Sequence, residues 1–192
     1  HALMLRGMLL TFEEEPAEAT DQFAEAARLL DMVGDVNCWA TSTRGLARCE
    51  SALGDANSAA SRLLSILDRM PTLPMPEITK PRTLDAIAEA LLVAGRFEDG
   101  GLLLGAAMAA PFTPEAVIRP AELEVIRANA IEQLGETRAE RLFAEGAKLD
   151  LDEALERGRR LLADLSSSSG PNSKEEKARW TKPMCRLILL TA

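Results

Sequence analysis

Aromatic side chains are nearly missing from this chain: they make up 4% of its 192 residues, and there is no tyrosine. Histidine is limited to His1, and the three cysteines, Cys38, Cys49 and Cys185, are scattered. A Ser-His-Asp or Cys-His arrangement would have to be built from that first residue, so nucleophilic catalysis is not expected. One histidine and three dispersed thiols also make a poor metal-ligand set, and no metal site is expected. Cys38 and Cys49 share one helical stretch, where eleven residues span about 16 Å by the rise per residue. That is too far for a disulfide, and the thiols read as small, inert side chains of a reducing compartment, which points to the cytoplasm. No run reaches the ~18 apolar residues that a membrane span needs. The stretch His1-Ala2-Leu3-Met4 opens inside a helical pattern without a signal peptide or an initiator methionine, and reads as the start of a fragment. There is no G-x-x-x-x-G-K-[ST] loop for a nucleotide, so no cofactor is expected.

What is present is helical. Hydrophobic residues make up 47% of the chain, rich in alanine and leucine at helical spacing and thin in β-branched side chains, which argues an all-α fold. The net charge of −8 is uneven. Residues 165–192 carry five basic side chains (Lys174, Lys177, Arg179, Lys182, Arg186) against Glu175 and Glu176, leaving a net of −11 on residues 1–164. An acidic body of that size repels nucleic acid phosphates.

The expected helices are 1–12, 16–33, 36–53 and 56–70, then a proline-rich connector over 71–81, then 82–94, 97–109, 120–134, 136–145 and 150–165. Pro16 suits a first turn, Gly34 a C-terminal cap, and Asp55 an N-cap. Asp150-Leu151-Asp152-Glu153 resembles a capping box. Ser166–Ser169, Gly170 and Pro171 read as a flexible linker to a basic and then apolar tail ending in Leu187-Ile188-Leu189-Leu190.

Three breaks recur, at Glu13-Glu14-Glu15-Pro16, Gly54-Asp55 and Gly95-Arg96. Each is followed by a small residue and an apolar one four positions on: Ala19/Phe23, Ala59/Leu63 and Gly100/Leu104, spaced 40 and then 41 residues apart. A period in that range marks a solenoid of helical hairpins. The sequence therefore predicts three helix pairs over 1–110, non-periodic capping helices over 111–165, and a linker and tail over 166–192. The period is read as ending at Pro111.

The three pairs resemble tetratricopeptide repeats, on Gly7, Ala19, Phe23 and Ala26; on Ala47, Gly54, Ala59, Leu63, Ile66 and Pro71; and on Ala88, Gly95, Gly100, Leu104 and Ala107. The usual Trp and Tyr of the first helix are missing. Residues 82–165 resemble the last repeats of large LuxR-type transcriptional regulators. The strings are Ala94-Gly95-Arg96-Phe97-Glu98, Leu103-Leu104-Gly105-Ala106-Ala107, Leu134-Gly135-Glu136, and Phe143-Ala144-Glu145-Gly146 leading into Leu149-Asp150-Leu151-Asp152-Glu153-Ala154. In that family these segments follow a STAND-type ATPase module and usually precede a helix-turn-helix; some relatives carry a nucleotide cyclase domain. Neither ATPase nor DNA-binding residues can be placed on this chain, so the resemblance implies those partners only through domains absent from it.

Two tryptophans are the candidate contact residues. Trp39, near the start of the third helix, is either core or part of a ligand groove. Trp180, among Lys and Arg, either anchors a partner or covers an apolar end of the solenoid. Glu13-Glu14-Glu15 reads as a solvated acidic turn. Gly100, Gly101 and Gly105 read as a close-packing stripe, not a phosphate cradle. The expected function is a non-catalytic protein-interaction or inducer-sensing module that holds a protein or small molecule on its concave face. Self-association as a scaffold is the alternative, and a hydrolase is much less favoured.

Overall fold

The computed structural model describes residues 1–13, 15–111 and 119–167. Among these there are nine α-helices and no strand: α1 (Ala2–Phe12), α2 (Pro16–Met32), α3 (Val36–Ala52), α4 (Ala56–Arg69), α5 (Thr79–Val93), α6 (Phe97–Ala109), α7 (Arg119–Leu134), α8 (Glu136–Gly146) and α9 (Leu151–Ser167). The all-α expectation holds. Trp180, Cys185 and the basic and apolar tail lie outside the described residues. No described helix is long and apolar enough to cross a membrane.

Local chemistry sets the boundaries. Asp35 and Asp55 cap α3 and α4, their carboxylates accepting from Cys38 N at 3.0 Å and Ser58 N at 3.1 Å. Pro16 stands in the first turn of α2. The connector is shorter than 71–81, because α5 begins at Thr79 and takes Pro81 into its first turn, where a missing N–H leaves no bond unmade. At the other end, α9 takes in Ser166 and Ser167, whose hydroxyls donate to the carbonyls of Ala163 and Asp164, so the helix runs past the 165 expected for its end.

Three of the turns between helices, besides Gly34 between α2 and α3, share one device. Gly54, Gly95 and Gly135 sit at φ 78°, 77° and 76°, the left-handed region that side chains with a Cβ avoid. They stand 41 and then 40 residues apart, each between two packed helices. A glycine of this kind thus also stands between α7 and α8, as between α3 and α4 and between α5 and α6.

Consecutive helices from α1 to α8 pack on one another, and the odd-numbered ones also touch in series, α1 on α3, α3 on α5 and α5 on α7. The main core includes Leu63, Ile66, Leu84, Ile87, Leu91, Leu103, Leu104 and Leu162, all fully buried. A smaller cluster at the other end centres on Phe23, whose ring is wedged between Gly7 of α1 and Gly45 of α3. A Cβ at Gly45 would lie 2.6 Å from that ring, so both glycines are small because the aromatic fills their side-chain space. α9 turns back and packs on α4, α5 and α6. Its Lys80–Asp152 and Arg157–Asp99 pairs, at 2.5 and 3.5 Å, and an Arg159–Asp68 pair fasten it there.

Candidate functional site

Where the odd-numbered helices meet, their facing stripes enclose a cavity of about 160 Å³. α1 supplies Met8, Thr11 and Phe12; α3 supplies Thr41, Arg44, Gly45, Arg48, Cys49 and Ala52; α5 supplies Arg82, Asp85, Ala86 and Glu89; α7 supplies Glu122 and Val125. Phe23 and Pro16 of α2 complete one wall. Steps of three and four residues keep each set on one helix face.

Three guanidinium groups and three carboxylates share this space. Arg48 bridges two acids, its Nε lying 2.6 Å from a Glu89 carboxylate oxygen and its Nη1 2.7 Å from Glu122. The second Glu122 oxygen accepts from Arg82 Nη1 at 2.5 Å. Burial opposes the Arg48 charge, but Glu89 and Glu122 outweigh it and raise its pKa. Burial also works against an ionised Glu122, yet Arg48 and Arg82 hold it below the usual carboxylate range. Glu89, 4% exposed, is pushed up by burial, which Arg48 offsets only in part.

Arg44 differs from its neighbours. Its side chain lines the cavity and is 7% exposed. Its Nη2 reaches Thr41 Oγ1 at 3.4 Å, a long contact, and its Nη1 has no hydrogen-bond partner among the described residues. Burial, reinforced by the adjacent Arg82 charge, lowers its pKa to about 9. The nearby Glu122 and Asp85 charges offset part of that cost, and Arg44 remains charged at neutral pH. Cys49, in the same wall, is held at about 11 mainly by burial, so it is a packing residue and not a nucleophile.

Trp39 lies elsewhere. It is 6% exposed and belongs to the main core. The Arg69 guanidinium stands 4.3 Å over its ring centroid and is held by Asp31 at 2.5 and 3.2 Å. The indole also borders a second cavity of about 340 Å³, with Leu30, Asp31, Val36 and Leu73 in its lining. Both readings of Trp39 thus have a structural counterpart, but it is no part of the charged cavity.

His1, far in sequence from Asp35 and Cys38, brings its ring beside them, and the three ligand atoms lie within 4.8 Å of one another. His1 Nε2 is 2.9 Å from Asp35, which also caps α3. Burial and then Asp35 raise the Cys38 thiol, which makes it a weak thiolate donor.

The cavity residues were missed by motif reading, although a signal exists. Arg48 and Glu89 are 41 residues apart, and Arg82 and Glu122 are 40 apart. These opposite charges sit on α3, α5 and α7 and meet where those helices touch. Set against known proteins, the chain has no match to a family model, a curated protein or a solved structure.

Proposed function

We propose that the chain is a non-catalytic binding module: a tetratricopeptide-like solenoid whose odd-numbered helices line a concave face that receives a small-molecule inducer. The observation that carries this reading is the cavity between α1, α3, α5 and α7 with a buried Arg44 in its wall, whose Nη1 has no hydrogen-bond partner among the described residues. Supporting it are the glycine turns at a 40–41-residue period and the serial contacts of α1, α3, α5 and α7. The resemblance of residues 82–165 to LuxR-type regulators supplies the larger role, in which ligand uptake shifts the balance between two arrangements of a transcription regulator. Binding, not turnover, suits the cavity's chemistry: its thiol is raised, and Glu89 and Glu122 are engaged by arginines.

The test is a small-molecule panel read by thermal shift, with substrate turnover followed in parallel. A ligand at a hundred times its Kd is expected to add about 2.7 kcal/mol of stability, with no product formed. Turnover of any panel member would overturn the binding-only reading.

Self-association has its own support. Leu5 and Leu9 of α1 are 55% and 62% exposed. At the matching positions of α3, Gly45 lies against Phe23 and Cys49 is buried; at those of α5, Ala86 and Ala90 are buried. Large apolar side chains on α1 thus stand bare at a register covered elsewhere, the kind of face a second copy could cover. Sedimentation equilibrium would show a dimer that Leu9→Glu dissociates; a strict monomer at high concentration rejects this reading.

A further inference from the structure

Resting on the cavity reading above, we infer that the ligand of this site is a small apolar molecule carrying a single negative charge, a carboxylate, which docks on Arg44. A buried guanidinium nitrogen without a partner is a donor left unsatisfied in a dry place. A carboxylate fits it best, since the guanidinium fork binds that group in a bidentate, charge-assisted way. Arg48 and Arg82 cannot serve as the anchor because Glu89 and Glu122 already occupy them.

The rest of the wall narrows the class. Met8, Phe12, Phe23 and Val125 offer no hydrogen bonds, so the ligand carries an apolar part beside its charged group. A dianion such as a phosphate monoester would meet the carboxylates of Asp85, Glu89 and Glu122 in the same cavity. A cation would meet three guanidinium groups.

The experiment uses hexanoate and hexanol as probes, titrated into the full chain and into Arg44→Met and Arg44→Lys variants by calorimetry, with circular dichroism to confirm folding. Hexanoate is expected to bind the unaltered chain at least tenfold more tightly than hexanol. Arg44→Met should lose at least tenfold in hexanoate affinity with hexanol unchanged, while Arg44→Lys, which keeps the charge but loses the fork, falls between. Equal binding of the two probes, or hexanoate affinity unmoved in a folded Arg44→Met, overturns the carboxylate inference and leaves the cavity reading standing. Failure of both probes on the unaltered chain counts against both. If Arg44→Met does not fold, the comparison of hexanoate with hexanol on the unaltered chain and the Arg44→Lys titration decide the outcome.

Discussion

Gly146→Ala is expected to remove about 3 kcal/mol or more of folding stability, a large share of the ~5–15 kcal/mol that separates folded from unfolded states of a typical domain. α8 reaches α6 through two glycines. A Cβ at Gly146 would overlap the Leu102 carbonyl oxygen, and one at Gly105 would overlap the carbonyl oxygen of Phe143. The obstacles are backbone atoms in helices that are themselves packed, so relief requires the helices to separate. Overpacking ordinarily costs about 1–3 kcal/mol where a side chain can move aside, and neither obstacle here is a side chain. Gly100→Ala is the milder case: its Cβ would meet Leu92 Cγ at 2.7 Å, a buried side chain that must shift, and the Ala88 carbonyl oxygen at 3.1 Å. Helix propensity there favours alanine by about 1 kcal/mol against an overpacking cost of about 1–3 kcal/mol, so the net loss is smaller than at Gly146. Urea denaturation of Gly146→Ala, Gly105→Ala and Gly100→Ala would check the ranking. A Gly146→Ala midpoint equal to that of the unaltered chain would show that α6 and α8 are not in such close contact.

That contact was half legible beforehand. Gly100, Gly101 and Gly105 announce close approach because helix interiors avoid glycine unless packing requires it, and in the structure each faces a packed neighbour, Leu92, Leu134 or Phe143. Gly146, read as a helix stop, is the last residue of α8 and the other half of the same contact. Helix existence and capping were readable throughout, since Asp35, Asp55, Pro16 and the turn glycines act within a few residues of themselves. The return of α9 onto α4, α5 and α6 was not, because the amphipathic pattern of Ala154, Leu155, Gly158 and Leu162 fixes which face is buried without naming the neighbour. The cavity was hidden for a related reason. Arg44, Arg48, Arg82, Glu89 and Glu122 look like ordinary solvated helix charges one helix at a time, and their burial arises only when α3, α5 and α7 stack. Only the pairing of opposite charges at the repeat period carried that information in the sequence.

Arg48→Leu tests the same stacking energetically, and a loss of about 3 kcal/mol is expected. Removing one partner of a buried pair strands the other charge, at roughly 3–5 kcal/mol, and the lower end applies because the Arg48 side chain is 25% exposed. Glu122 keeps Arg82 at 2.5 Å, so the stranded group is Glu89, 4% exposed. The double variant Arg48→Leu/Glu89→Leu should recover most of the loss, since apolar replacement of a buried pair is often neutral or better. The deficit carries a pH signature with a definite sign. Burial already raises Glu89 above its ordinary 4.5, and losing Arg48 removes the chief influence that lowers it. A carboxyl whose folded pKa exceeds its unfolded pKa contributes stability below the unfolded value and loses it as pH rises through the folded one. The single variant should therefore lie closest to the double variant below about pH 4.5 and fall away from it toward neutrality. Guanidinium denaturation of both variants across that range would read the difference directly. A gap between them that does not change with pH would mean that Glu89 is hydrated and that the stacked faces of α3 and α5 admit water.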